Sequence, residues 1–244
     1  MRATAYIHYE LLRTFRNRRF FVLAFGFPLV LFFLIAAPNR NEHDFGGTGL
    51  SAPLYYMVGL AAFGTMNAML STGARIAGER AVGWNRQLRI TPLTARTYFR
   101  AKVLTSYLVA CASLVLLYVA GMALGVRLPL HDWARMTFLI LVALLPFAAM
   151  GVLLGHLVTP DSIGPAIGGL TALFAFLGGT WFPVTSGFLH QIALELPSYW
   201  LVQANHVALG GNGWSARGWV VIAAWTLVAA ALARRAYRRD TQRT

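Results

Sequence analysis

The sequence predicts an all-α membrane protein of six transmembrane helices, and three observations predict it. Hydrophobic residues make up 57% of the 244 positions and charged residues only 12%, where soluble domains carry about 25% charge. The apolar residues gather into runs near the ~20 residues that a helix needs to cross a bilayer, at 20–37, 53–74, 101–124, 136–158, 163–182 and 218–233. Lys and Arg alternate between the loops that separate them. Seventeen lie before the first run, between the second and third, or after the last; the opposite loops hold only Arg40, Arg127, Arg135 and Arg217. By the positive-inside rule both termini are cytoplasmic, at the cell membrane, and the span count is even. This distribution also accounts for the net charge of +13 without a nucleic-acid partner, since no single basic face is formed.

Residues 1–19 precede the first span and read as an amphipathic helix in the interface plane. Ile7, Leu11 and Phe15 recur every fourth residue with Tyr6 and Tyr9 beside them, while Glu10, Arg13, Arg16 and Asn17 take the other side. Such a helix lays its apolar face in lipid and its arginines toward anionic headgroups; a solvated basic leader is the alternative. The run at 20–37 is too long for the 7–15-residue core of a signal peptide, and Leu34-Ile35-Ala36-Ala37 is a poor cleavage site. The second span carries a stripe of small and polar residues, Gly64, Asn67, Ala68, Ser71 and Ala74. The fifth carries another, with Gly164, Gly168, Thr171, Ala172, Ala175 and Gly179. Small residues let backbones approach closely in lipid, so these faces either pack within the chain or line a pathway or dimer seam.

The third span holds Cys111, the sole cysteine, and with it no disulfide or cysteine metal cluster is expected. Pro146 should kink the fourth span, and His156 near its end suggests an interfacial or capping role. After Trp181, Phe182 and Pro183, the loop to Arg217 is too apolar for a plain linker and reads as short helices re-entering the outer leaflet, shielded by protein. Trp219, Trp225, Arg234 and Arg235 anchor the short last span, and 234–244 form a cytoplasmic tail. The whole chain is read as one domain.

No span carries a carboxylate or lysine at its centre, which argues against ion coupling through midplane charges. The sole lysine, Lys102, follows Ala101 and belongs to no Gly-x-x-x-x-Gly-Lys-[Ser/Thr] loop, so no ATP site is expected in this chain. Neither His-Glu-x-x-His nor Gly-x-Ser-x-Gly occurs, and no catalytic, cofactor or metal residues are assigned.

The arginine-rich loop after the second span runs Glu79-Arg80-x-x-Gly83-Trp84-x-Arg86-x-Leu88-Arg89-x-Thr91-Pro92-Leu93. A short helix rich in Arg and Trp suits docking of a soluble partner, although a loop that only sets topology would look similar. This stretch resembles the signature loop of ABC-2-type transporter permeases. The resemblance extends over the chain through Pro146-Phe147 with Gly151, Gly178-Gly179-Thr180-Trp181-Phe182-Pro183, and Leu196-Pro197 with Tyr199. Its size and residue usage are similar to the drug- and antibiotic-export branch, but Val184-Thr185-Ser186-Gly187 stands where the family often has a leucine-proline pair.

The resemblance implies a permease without enzymatic activity of its own, partnered with a cytoplasmic ATPase that holds ATP and Mg. A second copy or a sister permease, membrane lipid and a small hydrophobic substrate complete its partners. Glu79, Arg80, Trp84, Arg86 and Arg89 would form the helix that couples to the ATPase, and the N-terminal interfacial helix would connect to it. Gly64, Asn67, Ser71, Gly168, Thr171 and Ala175 would face the pathway or the dimer seam, and Trp181, Phe182 and Pro183 the outer gate. An ion-coupled secondary transporter and a non-transporting assembly protein are the rival readings. Cysteine labelling in intact cells tests the topology: a cysteine at position 86 should be shielded from membrane-impermeant reagent, and external labelling there would overturn the orientation.

Overall fold

The computed structural model describes residues 3–16, 22–84, 94–211 and 213–242. Among them the chain is helical, with no strand. Helix α1 spans Ala3–Phe15, and a π-helical turn at Val22–Gly26 leads into α2, Phe27–Ala36. Helices α3 (Ala52–Leu70) and α4 (Thr72–Ala81) follow, then α5 (Ala95–Ala123), α6 (Leu130–Ala143), α7 (Leu145–Leu157) and α8 (Pro160–Leu177). Two short helices, α9 (Gly187–Ala193) and α10 (Pro197–Val202), and a 3-10 helix at Gln203–Leu209 lead to α11, Ala216–Gln242.

Local chemistry sets these boundaries. Proline occupies the first turn of α2, α3, α7, α8 and α10, where its missing N–H has no intrahelical partner to lose. Thr94 caps α5 by accepting the Thr97 amide, as N-cap hydroxyls do. Between α3 and α4 the Ser71 hydroxyl donates to the Asn67 carbonyl at 2.5 Å, a back-bond that bends helices. The expected kink in the fourth span is a break at Leu144, two residues before Pro146. At the far end of α4, Gly83 takes a left-handed φ of +69° that a β-carbon would strain.

Four helical stretches are long and apolar enough to cross a membrane, at Arg96–Ala123, Leu130–Leu157, Pro160–Leu177 and Ala216–Asp240. The other two expected spans are represented by a shorter apolar helix, Ala24–Ala36, and by α3, which is buried almost throughout. Large apolar side chains face outward along the bundle, among them Val30, Leu34, Val119, Leu173 and Leu227, a surface suited to lipid and not to water. The last helix extends beyond the expected span. It continues through the expected tail to Gln242.

Helix α3 forms the axis, packing against α2, α5, α7, α8 and α10. Glycine makes the tightest approaches possible. A β-carbon on Gly64 would lie 2.8 Å from the Ser113 hydroxyl, and one on Gly121 within 2.2 Å of the Met57 sulfur, so α3 and α5 meet through missing side chains. Helix α7 crosses the α3–α4 bend through Gly151 and Gly155, a small-x-x-x-small spacing. Added β-carbons there would lie 2.5 Å from the Met69 carbonyl and 2.7 Å from Ile76 Cβ. The other face of α7 carries α11.

The segment between α8 and α11 is stitched down by indole N–H groups. Trp200 donates to the Leu194 carbonyl, Trp214 to that of Trp200 and Trp225 to that of Glu195, which pairs the polar tip of each buried or half-buried ring. Gly218 lets α11 close on the Trp200 ring. Gly151→Ala should therefore lower the thermal midpoint of the purified protein, because overpacking costs about 1–3 kcal/mol. Gly168→Ala, whose β-carbon meets nothing within 4 Å, should leave it unchanged or raise it, as alanine in a helix is favoured over glycine by about 0.5–1 kcal/mol. Size-exclusion thermal melts of the two variants check the contrast.

Candidate functional site

The densest polar constellation lies where α1, α4 and the start of α5 meet. Lys102, in the second turn of α5, is 0% exposed. Its ammonium donates to Glu10 Oε1 at 2.7 Å and to Glu79 Oε1 at 2.5 Å, and it lies 5.3 Å from the centre of the Tyr98 ring. Glu79 also accepts from Arg13 at 2.9 Å and from the Tyr98 hydroxyl at 2.7 Å. Next to this group, Arg75 donates to the hydroxyls of Thr14, Thr72 and Ser106. Both carboxylates are nearly withdrawn from solvent, Glu10 at 5% and Glu79 at 3% exposed. An unpaired ion in that setting would cost several kcal/mol, so each charge holds the others in place. Burial pushes the Tyr6 hydroxyl well above its usual range, with Glu10 and Glu79 adding to the effect. Burial likewise pulls the Arg75 guanidinium down, against the pull of the same two carboxylates.

Two expectations are corrected here. Glu79 is not at the start of an exposed docking helix; it sits in the last turn of α4, facing inward, because a fully buried lysine needs a buried counter-charge. Glu10 is not on the solvent side of α1. The face of α1 against the bundle carries Tyr6, Glu10 and Thr14. Ile7 packs at the edge of that contact with Tyr98 and Ile76 nearby, Leu11 is half-buried, and Arg13 and Arg16 are exposed.

The next residue along α4 grips the opposite side. Arg80 places Nε 2.7 Å from Asp240 Oδ2 and donates Nη2 to Oδ1 at 2.8 Å, a two-point pairing that fixes guanidinium and carboxylate planes together. Its Nη1 donates to the Gly155 carbonyl of α7 at 2.9 Å. His156 Nδ1 lies 3.2 Å from Asp240 Oδ2, and its ring packs edge-on with Phe99 and Tyr237. Glu79 and Arg80, adjacent in sequence, thus tie α4 to α1 and α5 through one and to α7 and α11 through the other. The charged groups of this arrangement are engaged with one another. Among the described residues no three His, Cys, Asp or Glu side chains come together to hold a metal. The arrangement ties the end of α4 to four helices, α1, α5, α7 and α11.

Trp84 is exposed just beyond this junction, while Arg86, Arg89 and the side chain of Phe15 lie outside the described residues. The two stripes are divided. Gly64 packs within the chain against α5, and Thr171 and Ala175 are buried; Asn67 and Ser71 are half-buried, and Gly168 faces open space. At the other end of the bundle, Trp181 packs on Phe63, Phe182 on Phe176, and Pro183 beside Gly46. The Lys102 cluster and the Asp240 pairing escaped the sequence reading. One signal was available for the first: the sole lysine in a chain of arginines stands at the mouth of an apolar run.

The profile of ABC-2 family transporter proteins matches residues 37–235. A protein of Bacillus subtilis (strain 168), provisionally named the transport permease YvfS, is similar at 26% identity over 195 residues, 78% of this chain and 78% of its own length. Glu79, Arg80 and Lys102 fall within the family match; α1 precedes it.

Lys102→Met should be strongly destabilising, since removing one partner of a buried ionic group leaves uncompensated charge at a cost of about 3–5 kcal/mol. Adding Glu10→Gln and Glu79→Gln to the same variant should restore much of the loss. Thermal melts of the single and triple variants check the order; equal midpoints for wild type and Lys102→Met would show that the charges are not coupled.

Proposed function

The chain belongs to the ABC-2 transporter family and is a multi-pass membrane permease, and we propose that it is the membrane-spanning subunit of an ATP-driven exporter of hydrophobic or amphipathic compounds. ATP and Mg are held by a separate cytoplasmic ATPase, and two permease copies, or this chain and a sister permease, form the pathway. The proposed arrangement has six spans, with α2 and α3 completing the four long apolar helices, both termini cytoplasmic, and α9 and α10 re-entering the outer leaflet. The observation that carries the mechanism is the double grip of α4 by Glu79 and Arg80, immediately before the arginine-rich loop. ATP binding and hydrolysis on the partner would move that loop, and the grip would convert its motion into a change between inward- and outward-facing states, a shift between pre-existing populations. Trp84, Arg86 and Arg89 supply the docking contacts, while Glu79 and Arg80 relay the motion inward.

The buried Lys102 cluster is the one feature that favours an ion-coupled carrier. Its charges are mutually paired and sit near the start of α5, whereas coupling ions bind near the bilayer midplane; this supports a clamp. Transport in proteoliposomes driven by ATP without an ion gradient separates the two readings. In the same assay, alanine at both Trp84 and Arg86 should leave insertion intact but weaken ATPase association. Truncating such an interface anchor commonly costs ~2 kcal/mol or more, roughly thirtyfold in affinity. Full complex formation by this variant would reduce the loop to a topology anchor.

A further inference from the structure

A cavity of about 220 Å³ lies at the end of the bundle opposite the charged junction, between the start of α3, the end of α8 and the α9–α10 segment. Its lining contains no Asp, Glu, Lys or Arg. Its polar side chains are the amides of Asn205 and Gln203, the imidazoles of His190 and His206, and the hydroxyls of Thr48, Thr185, Tyr55 and Tyr199. Asn205 is 1% exposed, yet neither its Nδ2 nor its Oδ1 has a hydrogen-bond partner within the chain. A buried amide left so is costly, and native interiors rarely tolerate it. His190 Nδ1 lies 2.8 Å from the Val184 carbonyl; a carbonyl can only accept, so Nδ1 carries the proton of this contact. The Tyr55 hydroxyl donates to the Gly179 carbonyl, which leaves its oxygen as an acceptor.

We propose that this cavity binds a neutral polyhydroxylated group of about one sugar ring, held by Asn205 at its floor. The unpaired amide offers a donor and an acceptor side by side, the pattern that neighbouring hydroxyls satisfy. Size sets the class: the space is below the ~300–1,000 Å³ of sites for drug-sized ligands, yet far exceeds the ~30 Å³ share of one water molecule. The absence of fixed charge from the lining disfavours phosphate or carboxylate headgroups, whose burial would need a paired cation. Exposed Gly47 and Thr185 at the rim leave a way in, so the group could arrive as a free glycoside or as the headgroup of a glycolipid. The site lies within one chain and is independent of the ATPase proposed above, so binding can be measured without it.

Saturation-transfer NMR on the full chain in phosphatidylcholine nanodiscs tests this with methyl β-D-glucoside as the free probe and a monoglucosyl diacylglycerol incorporated in the discs as its competitor. The expected result is saturable binding of the glucoside that weakens about tenfold in Asn205→Leu, the loss of one or two hydrogen bonds, and measurably in Gln203→Leu. Displacement by the glucolipid, or binding of the glucolipid alone, would uphold the site and assign it to lipid headgroups; binding of the glucoside without displacement would assign it to free sugars. Should Asn205→Leu fail to fold, Gln203→Leu decides by itself. No binding of either probe, unchanged binding in the folded variants, or equal affinity for charged methyl β-D-glucuronide would overturn the proposal and leave a water-filled cavity.

Discussion

Burial of the Lys102 ammonium is the constraint from which much of the architecture follows. A lysine with no solvent exposure at the mouth of a membrane-crossing helix must find opposite charge within reach, or lose its proton. The chain has only eight acidic residues, and it sends two of them, from helices otherwise remote in sequence, to this one ammonium. Supplying Glu10 docks α1 against the bundle; supplying Glu79 fixes the rotation of α4. Once Glu79 faces one way, Arg80, the next residue around the helix, faces the other and reaches Asp240 and the Gly155 carbonyl. A single buried charge therefore orients α1, α4 and α5 directly, and α7 and α11 through the neighbouring residue.

The bundle to which this junction is attached is stiffened by close packing and not by charge. In lipid no hydrophobic force draws one helix to another, so contact area at short range has to do the work. The glycines at 64 and 121 let α3 and α5 close on each other's side chains, and those at 151 and 155 bring α7 within backbone distance of α3 and α4. Such contacts resist sliding, because a helix cannot shift along another without carrying ridges over the glycine gaps. Together, the ionic grip at one end and the glycine crossings along the length tie α4 to the bundle at several points.

The opposite end has a different chemistry. There the Trp200, Trp214 and Trp225 N–H groups and backbone carbonyls close a compact cap, and the turn after α8 uses Gly179 at a φ of +80° so that its carbonyl can take the Tyr55 hydroxyl. Buried polar atoms without partners lie here on Thr180, Ser198 and Asn205, and at the charged junction on Tyr6, Arg75 and His156. The molecule is thus held by ion pairs at one end and by indole and hydroxyl hydrogen bonds to carbonyls at the other.

The apolar runs, the alternation of arginines and the prolines that open helices are local or one-dimensional signals, and from them the helical class, membrane residence and most helix positions were legible. The match of Glu79 to Leu93 to a family loop was legible for the same reason: it is a contiguous string. What could not be read was which way a helix turns. The periodicity of residues 1–19 assigned Glu10 to the solvent side because hydrophobic patterning ranks a carboxylate as polar; it contains no term for a lysine 92 positions away. Likewise the tail after residue 233 read only as cytoplasmic, since a partner of Asp240 lies 160 residues earlier in the chain. Composition and periodicity determined that this protein lies in a membrane as a helical bundle. Only tertiary structure decided where its few charges are buried, because ion pairing across the fold depends on distance in space, which the order of residues does not encode.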